Sequence, residues 1–281
     1  MKIGQIVWNG RVTAAVFDKG HARPIPGHSL LELAGRAARE GTTLGEMARN
    51  HAANTRESLA PALPVEPVEV WACGCTYEMS ASFRDAEHGT REGFYRHVFT
   101  APRPEIFFKG TARVCVGPGE GIGIREDSVF TAPEPELAVL LGEKGSILGY
   151  TLANDVSAWD IERENPLYLP QSKVYNACCA LGPWFVTPDE LTDPYSIDMS
   201  CTITRGDKVT FEGAVSTSKL GRKIETLVEY LMRANDVPAG SVLLTGTGII
   251  APQSAALAEG DVVTITASGI GTLSNPAVVV K

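Results

Sequence analysis

The stretch Pro133-Glu134-Pro135-Glu136-Leu137-Ala138-Val139-Leu140-Leu141 decides how this chain reads. Each proline fixes its own φ near the extended range and disfavours helix in the residue before it. In an extended segment, residues two apart project to the same side. Glu134 and Glu136 therefore face one way, just ahead of an apolar run that predicts a strand. A second strand-like run, Ile147 to Asn154, leads directly into Asp155. Carboxylates this close repel and are costly to bury unpaired. A hard divalent cation such as Mg²⁺ resolves that repulsion, because it takes oxygen ligands. The plainer alternative is a solvated acidic strand edge, since edges commonly carry charge.

Working outward, residues from about 68 to 281 are rich in short β-branched runs bounded by turn residues. Strands are predicted over 68–72, 137–141, 147–153, 197–204, 208–211, 242–244, 262–266 and 277–280. They are not regularly interleaved with helices, which argues against a doubly wound parallel sheet. Leu220, Ile224, Leu227, Val228 and Leu231 recur at helical spacing and predict a helix from Ser218 to Ala234. Upstream, Asn9-Gly10 predicts the turn of a hairpin between Ile3–Val7 and Arg11–Phe17. Ser29 caps a predicted helix that Gly41 stops, and Thr43 with Glu46 has capping-box spacing for a second. Pro61, Pro64 and Pro67 then read as an extended linker. The expectation is a small N-terminal α+β domain over 1–64 and a strand-rich catalytic domain over 65–281.

The chain has 281 residues, a net charge of −8 and 44% apolar residues, ordinary for a globular protein. The acidic balance argues against a nucleic-acid partner. No run of about 18 uncharged apolar residues predicts a membrane helix. Six cysteines without a CxxC pair fit buried, reduced thiols in a cytoplasmic protein.

Two further residues invite chemistry. Lys173 closes a connection rich in proline, amide and aromatic groups, Asn165 to Ser172. A lysine buried beside a cation site loses its proton more readily and can act as a base. An ordinary surface lysine is the plainer reading. Glu105 shares a strand face with Phe107 if Ile106 to Phe108 is core strand. A carboxyl among apolar groups holds its proton and can act as acid or base. Pairing of Glu105 with Lys109 or Arg103 is the alternative. In Thr245-Gly246-Thr247-Gly248, glycines after an apolar strand allow a close backbone approach to a ligand and the threonines offer hydrogen bonds to a carboxylate; a simple tight turn is the alternative.

Pro133 to Val139, Gly149 to Ser157 and Leu244 to Thr247, in this order, resemble the fumarylacetoacetate hydrolase superfamily. The resemblance covers about 68 to 281. It implies an α+β, strand-rich fold, a mixed β-sandwich roll, with one Mg²⁺ held by Glu134, Glu136 and Asp155. Mn²⁺ and Ca²⁺ suit the same oxygen ligands. It also implies a homodimer or homotetramer acting on a small 2-keto acid.

Gly74 to Ser80, Arg103 to Lys109 and Glu164 to Lys173 are similar to the branch of that superfamily that dehydrates 2-keto-3-deoxy sugar acids. This implies conversion of D-2-keto-3-deoxypentonate to 2,5-dioxopentanoate, with Glu105 and Lys173 as the acid/base pair. Ser80, Gln171 and Thr247 are candidates to orient substrate oxygens. Hydrolases of the superfamily typically read Gly-x-Asn-Tyr-x-x-His-x-x-Glu, where the histidine helps activate water. Ser80 and Phe83 stand at the histidine and glutamate positions here. A serine has no accessible pKa near neutrality. That disfavours C–C hydrolysis unless His88 or His97 folds back. A non-catalytic relative that only binds 2-keto acids is a further alternative. Arg84 to Thr100 reads as a lid or as a plain surface helix.

Overall fold

The structure is a computed structural model that describes residues 1–87 and 94–281, with side chains outside 83–94. His88 and the middle of the candidate lid lie outside the described residues. In chain order the strands are β1 (Lys2–Trp8), β2 (Arg11–Asp18), β3 (His21–Pro24), β4 (Val70–Gly74), β5 (Glu105–Gly110), β6 (Cys115–Val116), β7 (Ile122–Arg125), β8 (Thr131–Ala132) and β9 (Pro135–Leu141). They continue with β10 (Ile147–Asp155), β11 (Ser157–Ala158), β12 (Cys179–Val186), β13 (Asp198–Arg205), β14 (Lys208–Ser216), β15 (Val242–Thr247), β16 (Val262–Ala267) and β17 (Gly271–Val280). The helices are α1 (Leu30–Glu40), α2 (Leu44–His51), α3 (Glu78–Glu87), α4 (Phe94–Thr100), α5 (Trp159–Glu164), α6 (Leu169–Lys173) and α7 (Ile224–Met232).

The larger sheet has the order β3-β2-β1-β12-β10-β9-β15-β4-β5, with β6 alongside β12. All neighbours on this path are antiparallel except β15 and β4. The smaller sheet runs β14-β13-β16-β17-β7. The two sheets and their helices form the mixed β-sandwich roll, and a doubly wound parallel sheet is absent among the described residues.

β9 shows why its sequence is apolar without alternation. Leu137, Val139 and Leu141 enter the core shared with β13 and β16 of the smaller sheet and with α7. Ala138 and Leu140 enter the core on the opposite face, with Leu33 of α1 and Met47 of α2. Both faces of the strand are covered, so both parities are apolar.

Local signals at the N-terminus hold. Asn9 and Gly10 both take positive φ in the β1–β2 turn. Ser29 and Thr43 each form a capping box with Glu32 and Glu46, and Gly41 ends α1 at φ 65°. The proline-rich segment packs against its neighbours: Ala62 N–H donates to Gln5 O, Gln5 Nε2 donates to Leu63 O, and Val65 is buried.

Two expectations need correction. The helix predicted from Ser218 begins only at Ile224, behind a short 3₁₀ turn at Thr217–Lys219. Gly221 N–H donates to Thr76 O, and a Cβ at Gly221 would lie 2.4 Å from the Phe99 ring. That tertiary contact holds the chain out of helix. The strand expected at Ile106–Phe108 is real but lies at the sheet edge, with Phe108 exposed.

Candidate metal centre and active site

β9 lies between β10 and β15, with Ala153 and Thr247 on either side of Glu136. Asp155 is the last residue of β10, and its N–H donates to Glu134 O at 2.9 Å. Asn154 Oδ1 accepts from Glu134 N–H at 3.0 Å. These ties hold the Pro133–Glu136 segment extended against the end of β10. As a result, carboxylate oxygens of Glu134, Glu136 and Asp155 lie within 4.8 Å of one another, and all three residues are buried. The solvated-edge alternative is excluded.

Each carboxylate is oriented. Trp159 Nε1 donates to Glu134 Oε1 at 2.6 Å, and Gly246 N–H donates to Glu136 Oε2 at 2.5 Å. Gly246 has φ +97°, and a Cβ there would meet Thr76 Oγ1 at 1.9 Å. Glycine is thus required for this backbone to approach a carboxylate. Among the described residues, buried Glu136 Oε1 has no hydrogen-bond partner. Burial, then the neighbouring Asp155 and Glu134, push the Glu136 carboxyl well above the usual carboxylate range. An open buried oxygen and an all-oxygen donor set fit a hard divalent cation.

Two lysines enter this cluster. Lys173, the last residue of α6, is 1% exposed, so it is no surface lysine. Its Nζ stands 3.0 Å from Glu134 Oε1 and 3.0 Å from Asp155 Oδ2, and donates to Ser157 Oγ at 2.6 Å. Ser172 Oγ donates to Ala158 O at 2.8 Å and anchors the short helix. Lys109, which sequence reasoning considered only as a partner for Glu105, is 0% exposed and lies 2.5 Å from Asp155 Oδ1. Burial disfavours the Lys109 ammonium, but Asp155 together with Cys178 and Cys179 outweighs it and raises the pKa.

Glu105 opens β5, opposite Gly74 of β4. Its carboxylate lies over that glycine: a Cβ at Gly74 would be 2.1 Å from Glu105 Oε2. It lines a cavity of about 410 Å³ with Tyr95, His97, Arg103, Glu162 and Leu169. Burial first, then Glu136 and Glu105, push the Cys73 thiol up, which places Cys73 under the influence of both carboxylates. Ser80 is buried on α3. Thr247 Oγ1 donates to Pro135 O at 2.8 Å, so its hydroxyl braces the Pro133–Glu136 segment. Gln171 is exposed, and its carbonyl accepts from Arg125 Nη1 at 3.0 Å.

Sequence reasoning missed Trp159, Asn154 and the Lys109–Asp155 pair. Lys109 did carry a signal, because Glu105, Phe107 and Lys109 alternate on one strand. Trp159 carried none, because its partner lies 25 positions upstream.

Residues 80–278 match the fumarylacetoacetate (FAA) hydrolase C-terminal family. The chain belongs to this family. A 2-dehydro-3-deoxy-D-arabinonate dehydratase of Saccharolobus solfataricus is 51% identical over 76% of this chain and 72% of its own. A probable 2-keto-3-deoxyxylonate dehydratase of Haloferax volcanii is 48% identical over 76% of this chain and 73% of its own. Among solved structures, a 2-keto-3-deoxy-D-arabinonate dehydratase complexed with magnesium and 2,5-dioxopentanoate superposes with TM-score 0.83 at 40% identity, covering 100% of both chains. A hexagonal crystal form of 2-keto-3-deoxyarabinonate dehydratase gives TM-score 0.86 at 40% identity, also covering 100% of both. The fumarylacetoacetate hydrolase fold thus accounts for the sandwich and for the strand ends on which the carboxylates sit. No helix among the described residues is long and apolar enough to cross a membrane.

Proposed function

We propose that this protein is a hydro-lyase that converts D-2-keto-3-deoxypentonate to 2,5-dioxopentanoate and water, with Mg²⁺ as cofactor. The observation that carries the reading is the contact of buried Lys173 with two of three converging carboxylates, in a chain 51% identical to a dehydratase of this type. Glu134, Glu136 and Asp155 would hold the cation. When bound, it supplies Lewis acidity toward the α-oxo acid end of the substrate.

The remaining steps belong to the chain. Lys173 Nζ takes a proton from C3 as general base, and protonated Glu105 gives a proton to the departing C4 hydroxyl, which leaves as water. A C5 proton then leaves and C3 regains one, and the resulting C5 enol becomes the aldehyde. One water is lost and no oxidant is needed. Two positions support this assignment: Glu105 lines the cavity, and Lys173 sits at the carboxylates. Ser80, Gln171 and Thr247 are assigned to substrate oxygens, Thr247 through the strand it braces. A homodimer or homotetramer in the cytoplasm completes the proposal, supported by the thiols of Cys73, Cys115, Cys178, Cys179 and Cys201 and by the strongly exposed Val129 and Leu167. Residues 1–64 and 65–281 are taken as its two domains.

Purified protein with Mg²⁺ and D-2-keto-3-deoxypentonate should yield a semialdehyde that an aldehyde reagent traps. One observation favours a second reading: His97 lines the same cavity as Glu105. Cleavage of an acylpyruvate, with no semialdehyde formed, would replace dehydration by C–C hydrolysis.

A further inference from the structure

We infer that Lys109 is the positioning residue of the metal centre: it sets the direction of the Asp155 carboxylate. The inference rests on the metal-centre reading above and concerns a residue to which that reading gives no role. Lys109 sits where β5 bulges against β4, as the extra residue between Phe108, opposite Trp71, and Gly110, opposite Val70. A bulge re-aims a side chain, and here it accompanies a lysine in a fully buried position on an edge strand. Its Nζ lies 2.5 Å from Asp155 Oδ1 and donates to Val156 O at 3.0 Å. The Tyr175 ring centroid is 5.9 Å away. The ammonium thus grips both the side chain of Asp155 and the backbone of the next residue.

A carboxylate's terminal torsion is broad and has no strong preference of its own. Asp155 therefore needs outside contacts to fix its plane. Lys173 supplies one, on Oδ2. If Lys173 serves as the base, its contact changes during turnover, and Lys109 is the partner that stays. Groups that orient metal ligands in this way typically change metal affinity by about 10- to 100-fold when removed. Simple charge repulsion has the opposite sign. An ammonium this close repels a cation, so deleting it without loss of orientation should tighten binding.

The experiment is Mn²⁺ titration of chelator-stripped, folded protein by calorimetry, for wild type, Lys109→Met and Lys109→Gln. Methionine keeps the length without a donor, and glutamine keeps a donor without the charge. The expected result is Mn²⁺ affinity about tenfold or more weaker in Lys109→Met, with partial recovery in Lys109→Gln. At saturating Mn²⁺, kcat of Lys109→Met should return to within about tenfold of wild type, which a general loss of structure would not allow. Should Lys109→Met fail to fold, Lys109→Gln carries the test, because the repulsion account still requires it to bind Mn²⁺ more tightly than wild type. Unchanged or tighter binding in the folded variants would overturn the inference. A wild-type protein that binds no Mn²⁺ would overturn the metal centre itself, and with it this role for Lys109.

Discussion

The N-terminal hairpin and helices contrast with the carboxylate centre at the ends of β9 and β10. In the first region each element carries its own instructions: Asn9-Gly10 turns the hairpin, Ser29 and Thr43 cap α1 and α2, and Gly41 ends α1. In the second, Glu134, Asp155, Trp159, Lys173 and Gly246 come from separate segments, and each is satisfied by a residue distant in sequence. Local order stabilises the first region. The second gathers charges that oppose burial and holds them by packing the rest of the sheet around them. Stability and function are thus separated in space, and substitutions in the two regions should have different signatures.

Chelation gives the largest contrast. Stripping the metal should lower turnover to less than about one part in 10³, with recovery on adding Mg²⁺, while far-ultraviolet circular dichroism stays constant. Glu136→Gln should lose turnover equally and yet stabilise the metal-free fold. The sign follows from linkage. The folded Glu136 carboxyl is raised above its ordinary 4.5, so the native state holds a proton that the unfolded chain has lost. Stability from this group is present below pH 4.5 and declines as pH rises toward the raised value. Urea midpoints of the metal-free pair should therefore diverge progressively as pH rises above 4.5; parallel curves would remove the charge-strain account.

Next comes Lys173→Met, expected to lower kcat by about 10²- to 10⁴-fold with Mn²⁺ binding retained, measured at saturating metal. Gly246→Ala forces a side chain into a φ of +97° and against Thr76 Oγ1. It should destabilise the fold by about 1–3 kcal/mol and also weaken metal binding, since Gly246 N–H orients Glu136. The smallest effect belongs to the N-terminal region. Ser29→Ala should cost about 1 kcal/mol of stability in urea unfolding and leave kcat unchanged. A large loss of activity from that substitution would break the separation of the two regions.

Legibility followed the same division. The capped helices, the hairpin and most strands could be read because short-range spacing fixes them. The grouping of Glu134 with Glu136 was readable for a related reason: two prolines hold the segment extended, and strand parity then puts both on one side. Glu105 and Lys173 stood out first by their surroundings in the sequence and then by motif resemblance; Glu105 lines a cavity and Lys173 is buried against two carboxylates. Trp159 was not readable, and alternation along β5 hinted at Lys109 without naming Asp155 as its partner, because contacts across many residues leave no periodic trace of the partner. The early start expected for α7 failed because Gly221 is held by Thr76 and faces Phe99, and tertiary contact overrides helical spacing.

By itself the sequence determined most of the strands, the N-terminal turn and caps, and that two glutamates share a side ahead of an apolar strand, because steric and periodic rules act over a few residues. Tertiary structure alone decided that Lys109 and Lys173 meet these carboxylates in a buried place, because only the assembled sheet brings such distant charges within reach.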